Sequence, residues 1–170
     1  MGAVCPAGEA YARSMGGLQL GSPDSDVAVV FHTLERPHDD PLTWFRVELL
    51  GPGLHSIHTV ESLSGDAGFV APTNRADGGT ESTDLVATRL CDFFLELSAV
   101  QRPWQGERSW RSLEGDLELS AACDALGHVT ITVTLAPRPW EPTWRSSATI
   151  THALGDLETL SDAVRTWFDD

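Results

Sequence analysis

Leu117-Glu118-Leu119-Ser120-Ala121-Ala122-Cys123, Asp124-Ala125-Leu126-Gly127 and His128-Val129-Thr130-Ile131-Thr132-Val133-Thr134-Leu135 follow one another without a break. Leu117, Leu119, Ala121 and Cys123 share one parity, and so do Val129, Ile131, Val133 and Leu135. Successive side chains of a strand point to opposite faces, so each run buries one face and leaves the other wet. The intervening Asp-Ala-Leu-Gly is turn chemistry, and the whole reads as a β-hairpin with a four-residue loop. Its wet face carries Thr130, Thr132 and Thr134, whose branched side chains favour extended backbone.

Working outward, Pro137-Arg138-Pro139-Trp140-Glu141-Pro142 is a connection, because proline cannot donate to a central ladder. Trp144, Ala148 and Ile150 suggest a further strand. Asp156 then caps a C-terminal helix whose Leu157, Leu160, Val164, Trp167 and Phe168 share a face. Upstream, Val27-Ala28-Val29-Val30-Phe31 is a short β-branched run, and Phe45, Val47 and Leu49 alternate with Arg46 and Glu48. Gly51-Pro52-Gly53 turns this strand into a partner over residues 54–60. Residues 65–79, rich in Gly, Asp, Pro and Asn, read as a mobile loop. A helix is expected from about Thr83, with Asp84 in its first turn and Val86, Leu90, Phe93, Phe94 and Leu97 on one face.

These elements specify an α+β domain: an antiparallel sheet of six or seven strands, strongly twisted or folded into a partial sandwich, covered by the central helix and the C-terminal helix. A chain of 170 residues with 41% hydrophobic residues supports one core. Residues 1–22 read as a disordered tail, with Met15-Gly16-Gly17 as a second candidate start, and residues 23–170 as a single domain.

All 11 basic residues are arginine, against 25 acidic residues and a net charge of −14. The missing lysine fits a high-GC coding bias. The segments 1–60, 61–120 and 121–170 carry −4, −6 and −4, so the acidity is spread along the chain. Such a surface disfavours nucleic acid, whose binding gains from neutralised phosphates, and disfavours anionic membranes. It suits solubility or a basic protein partner. No apolar run approaches the ~18 residues of a spanning helix, and the first twenty residues lack a signal-peptide core, so a cytoplasmic location is expected. Cys5, Cys91 and Cys123 form no Cys-x-x-Cys pair, which fits a reducing compartment; Cys91 and Cys123 fall on or beside apolar faces, as inert core thiols do.

The residues offer little chemistry. His55 and His58, three apart on a strand, point to opposite faces and cannot share a metal without a bulge. His38-Asp39-Asp40 reads as a solvated turn. No serine or cysteine has a local base and oxyanion donors, and a Gly-x-x-x-x-Gly-Lys loop is impossible without lysine. We therefore expect no catalytic residue, no metal and no cofactor. The remaining candidates belong to a partner-binding surface: Trp104 and Trp110, with Arg111 and Glu114 beside them, and Asp124 with His128 flanking the hairpin turn. Tryptophan is enriched at binding hot spots, although most tryptophans pack in cores, and Asp124 equally suits an Asx turn.

Trp44, Gly51-Pro52-Gly53-Leu54, Phe93-Phe94, Trp104-x-Gly106, Trp110, Leu113-Glu114 and Asp124-x-x-Gly127-His128-Val129, followed by the leucine-rich closing helix, resemble a family of uncharacterised actinobacterial proteins, from about Val27 to Phe168. That family is distantly similar to the WapI-type immunity proteins of contact-dependent toxin systems, which share the layout of strands, helix, hairpin and final helix. The resemblance implies a toxin-neutralising role and transfers no catalytic residue. Three function classes follow, in order: an interaction module of immunity or antitoxin type, a small-molecule binding domain using the sheet face or residues 65–79 as a lid, and an enzyme with a dispersed site.

Overall fold

Period-two alternation becomes strand wherever a neighbour can pair with it. The computed structural model describes residues 17–21, 25–33, 42–63, 67–71, 86–136 and 144–169. Within them lie β1 (Gly17–Leu20), β2 (Ala28–Thr33), β3 (Leu42–Gly51), β4 (Leu54–Leu63), β5 (Ala67–Ala71), β6 (Val86–Arg89), α1 (Leu90–Ser98), β7 (Glu107–Ser112), β8 (Leu117–Cys123), β9 (His128–Leu135), β10 (Ser146–Ala153) and α2 (Leu157–Asp169), with one 3-10 turn at Leu154–Asp156 before α2.

The α+β class and the antiparallel pairing agree with the sequence; in place of one sheet of six or seven strands, twisted or folded into a partial sandwich, the described residues form two separate sheets. One has four strands in the order β1-β2-β3-β4, the other six in the order β10-β9-β8-β7-β5-β6. The facing sides of both sheets are apolar. Leu18, Leu20, Val29, Phe31, Phe45, Val47 and Leu49 of the first sheet join Trp110, Leu117, Leu119, Val129, Ile131, Val133 and Leu135 of the second in one buried cluster. A single sheet would need helices to cover its whole apolar face. Here the two sheets cover much of each other, and the helices complete the core.

The hairpin β8–β9 forms as read, with Leu117 opposite Leu135 and Cys123 opposite Val129. Its loop is one residue shorter than expected, because the Asp124 N–H donates to His128 O at 3.0 Å. Gly51 faces Leu54 across Pro52-Gly53, with Gly53 at φ +71°. A proline at the first central position and a left-handed glycine at the second is the type II pattern.

Two expectations fail in instructive ways. Residues 65–79 contain β5, which pairs with both β6 and β7; its order comes from neighbours remote in sequence, which no local composition reveals. The central helix starts at Leu90, where Thr83 was expected, and Val86 belongs to β6. Asp92 marks the true start: its carboxylate accepts the Arg89 N–H at 3.3 Å and two guanidinium bonds at 3.1 and 3.2 Å. These bonds, the Arg89 side-chain one foremost, hold Asp92 below the usual aspartate range despite some burial. β1 lies within the segment 1–22 read as a tail, while residues 1–16 and His38-Asp39-Asp40 lie outside the described residues.

The helix α2 buries Leu157, Leu160 and Val164. It also lays Trp167 edge-on against Phe31 and Phe45, with ring centroids 5.7 and 5.8 Å apart. Asp156 accepts the Ala153 N–H at 3.3 Å and so fixes the entry into the 3-10 turn. No helix among the described residues is long and apolar enough to cross a membrane.

Candidate functional site

The strand β8 has a turn at each end, and each turn holds an aspartate bonded to a histidine. At the β8–β9 end, the Gly127 N–H donates to Asp124 O at 3.1 Å and Gly127 sits at φ +84°. This is a type I turn closed by a left-handed glycine, a conformation that costs a residue with a Cβ. Asp124 Oδ1 accepts the N–H groups of Leu126 at 2.8 Å and His128 at 2.9 Å, while Oδ2 pairs with His128 Nδ1 at 2.8 Å. The Asx turn and the Asp–His pair, weighed as alternatives in the sequence, are thus both present. The backbone bond from His128 leads the interactions that hold Asp124 below the usual aspartate range.

At the β7–β8 end, the Gly115 N–H donates to Ser112 O at 2.9 Å and Gly115 sits at φ +72°. Here the aspartate turns inward. Asp116 Oδ1 accepts the Ser112 hydroxyl at 2.6 Å and Oδ2 pairs with His58 Nε2, from the other sheet, at 2.9 Å. Ser112 Oγ in turn accepts the Leu117 N–H at 3.1 Å. Burial pushes the Asp116 carboxyl up, but the bonds from His58 and Ser112, with attraction to His58, hold it below the usual range. A second tie between the sheets lies nearby, Ser56 Oγ to Ser146 Oγ at 2.7 Å.

Ser112, Asp116 and His58 are the residue types of a hydrolytic triad in the wrong order. A serine nucleophile needs the imidazole next to its hydroxyl, with the carboxylate behind the imidazole. Here the carboxylate sits between them, the Ser112 hydroxyl donates its hydrogen bond to Asp116, and Ser112 is fully buried. The cluster is a polar joint between the sheets.

A third cluster lies on the outer face of the first sheet, where Glu48 accepts His32 Nε2 at 3.0 Å and His55 Nε2 at 2.8 Å. Burial raises the Glu48 carboxyl, yet the two histidine bonds prevail and hold it below the usual range. His55 and His58 therefore do serve opposite faces of β4, as their spacing of three requires. Among the described residues no group of three or more His, Cys, Asp or Glu is arranged to hold a metal ion.

The six sequence-derived candidates separate. Trp110 is 1% exposed, facing Leu119 in the core, and presents nothing to a partner. It is large, inward on β7 and flanked by sheet on both sides, which the polar sequence Glu-Arg-Ser-Trp-Arg-Ser does not announce. Arg111 is exposed on the outer face opposite Glu118, and Glu114 is exposed in the β7–β8 turn. Asp124 and His128 come together at the other end of the sheet, and Trp104 precedes β7, which starts there opposite the end of β8. Trp104 is half-buried, with the Arg108 guanidinium 5.3 Å from its ring centroid.

Sequence reasoning missed what surrounds them. Leu154 N–H donates to Gly127 O at 2.8 Å and so ties the 3-10 turn and the start of α2 to the same end. Leu126 stands 82% exposed on the turn. Glu107 at the start of β7, Asp124 in the turn, and Asp156 and Glu158 at the entry to α2 are all exposed. A depression of about 270 Å³, lined by Ser98, Val100, Gln101, Leu154, Gly155 and Glu158, lies beside it.

The half of the chain that builds this end carries a family signature. Residues 70–170 match a family described as a family of unknown function, DUF6228. The chain belongs to the DUF6228 family. The DUF6228 match takes in β6 to β10, both helices and all six candidate residues, while β1 to β4 precede it. No curated protein and no solved structure matches the chain. DUF6228 membership brings no assigned activity, and the matches name neither an immunity protein nor a source organism.

Proposed function

We propose that the chain is a non-catalytic protein-interaction module of immunity or antitoxin type, acting in the cytoplasm, and that the β8–β9 end of the six-stranded sheet engages a basic partner. The observation that carries this reading is Leu126, an exposed apolar side chain on a turn held by two backbone N–H bonds and one His128 ring bond to the Asp124 carboxylate. Interfaces concentrate energy in a few apolar anchors within a polar rim, and a held turn loses little entropy on binding. The net charge of −14 favours approach of a basic partner. The stretch Asp124-x-x-Gly127-His128-Val129 falls at this end and carries part of the resemblance to the uncharacterised family whose layout is distantly similar to that of WapI-type immunity proteins, which supports the same role.

The depression beside Glu158 favours a second reading, a small-molecule site, although its 270 Å³ falls below the usual span of about 300–1,000 Å³. The test is capture by tagged full-length chain from lysate of the source cells at low and moderate salt, with partners identified by mass spectrometry. A basic partner that weakens with salt and is lost with Leu126→Asp is the expected result. A partner retained by Leu126→Asp, or no basic partner at all, overturns the reading. A small molecule released on denaturing the purified chain moves the weight to the depression.

A further inference from the structure

We infer that β10 is a docking edge for a second copy of this chain, the two β10 strands pairing antiparallel about a two-fold axis at Ile150. β10 closes one side of the six-stranded sheet, and among the described residues it pairs with β9 alone. The Leu154 N–H bond to Gly127 O continues the register that sets Ser146 opposite Leu135 and Ala153 opposite His128. Antiparallel ladders bond at every second pair. Residues 146, 148, 150 and 152 therefore bond to β9, and the N–H and C=O groups of Ser147, Thr149, Thr151 and Ala153 point away from it, the Ala153 N–H donating to Asp156 Oδ2 at 3.3 Å. All four of those residues are exposed.

The other sheet edges are defended. β1 and β6 are four residues long, and β6 ends on Arg89. β4 carries the exposed His55, bonded to Glu48. Short length, charge, proline and bulges are the means by which natural edge strands avoid pairing. β10, Ser-Ser-Ala-Thr-Ile-Thr-His-Ala, has eight residues without a carboxylate, arginine or proline, and its register with β9 runs unbroken.

Charge and register argue for a second copy as the occupant. Two chains of net charge −14 repel, so they meet best along a neutral strip. A two-fold axis at Ile150 pairs Ser147 with Ala153 of the partner subunit and Thr149 with Thr151 of the partner subunit, so both outward groups of Thr149 and Thr151 find mates and the Ser147 N–H meets the C=O of Ala153 of the partner subunit. A single strand pair lies at the small end of interface sizes, so the dimer is weak. Salt screens the overall repulsion and strengthens it, the reverse of the salt response expected for a basic partner.

Sedimentation equilibrium of the full chain over a range of concentrations, at low and moderate salt, tests this. The expected result is a reversible doubling of the 18.4 kDa mass, favoured by salt. Amides of Ser147, Thr149 and Thr151 should gain hydrogen-exchange protection as concentration rises. Thr149→Pro, which removes an outward N–H and spares the β9 ladder, weakens the dimer about tenfold or more. Should proline disturb folding, the exposed pair Thr149→Glu/Thr151→Glu abolishes self-association and is rescued by mixing with Thr149→Lys/Thr151→Lys. A monomer at every concentration, a dimer whose β10 amides exchange freely, or charge-swapped chains that fail to pair would each overturn the inference.

Discussion

At the β7–β8 turn a type I arrangement ends on Gly115 at φ +72°, and at the β8–β9 turn the same arrangement ends on Gly127 at φ +84°. Both turns hold an aspartate against a histidine, at 2.9 Å for Asp116 with His58 and 2.8 Å for Asp124 with His128. The partners differ in origin. His58 comes from the other sheet, 58 positions away, and the Asp116 side chain is 11% exposed, whereas His128 is four residues from an Asp124 that is 50% exposed. One pair therefore fastens two sheets, and the other only shapes its own turn. Similar local chemistry serves cohesion where the opposite sheet covers it, and at the β8–β9 turn it lies exposed among the described residues.

Trp110→Ala tests the core between the two turns and should have the largest effect. Loss of about 3–5 kcal/mol is expected in urea denaturation. A smaller loss would return Trp110 to the surface. Asp116→Ala comes next, at about 3 kcal/mol, since it strands Ser112 and His58 in a buried place. Ser112→Ala should cost about 2 kcal/mol, because both Asp116 Oδ1 and the Leu117 N–H lose their partner.

Acid separates the turns further. The folded pKa of Asp116 is depressed, so its contribution is whole above the ordinary 3.8 of aspartate and is lost as pH falls through the folded value. Asp116→Asn should flatten the stability profile below pH 3.8. Burial lowers His152 from its ordinary 6.5 against an opposing pull from Asp156. That contribution is whole above 6.5 and declines as pH falls through the lowered value, so the limb between the two windows should persist in Asp116→Asn. Equal flattening by Asp124→Asn would erase the contrast between the turns. Asp124→Ala should have the smallest effect on stability, well below that of Asp116→Ala in the same urea series.

The legible parts of the fold were those with a local period. β8, β9 and α2 show their faces in sequence, and the alternation of Phe45, Val47 and Leu49 marks β3. β5 and β7 carry no such period: Ala-Gly-Phe-Val-Ala is short and flanked by loop-forming residues, and β7 exposes arginines around Trp110. Their order is borrowed from the strands beside them, as β-structure often is. The site follows the same division. Asp124 with His128 is an i,i+4 pair and could be read directly, whereas the Asp116–His58 bond joins positions whose proximity depends on two sheets meeting. Trp110 was assigned to a surface because tryptophan suits both hot spots and cores, and only burial distinguishes them.

The central claim is that recognition belongs to the β8–β9 end and cohesion to the β7–β8 end. The most direct measurement is capture of a basic partner by wild-type and Leu126→Asp chains side by side, with the urea midpoint of each recorded. The expected result is loss of capture by Leu126→Asp at an unchanged midpoint. Undiminished capture by a folded Leu126→Asp chain contradicts the claim.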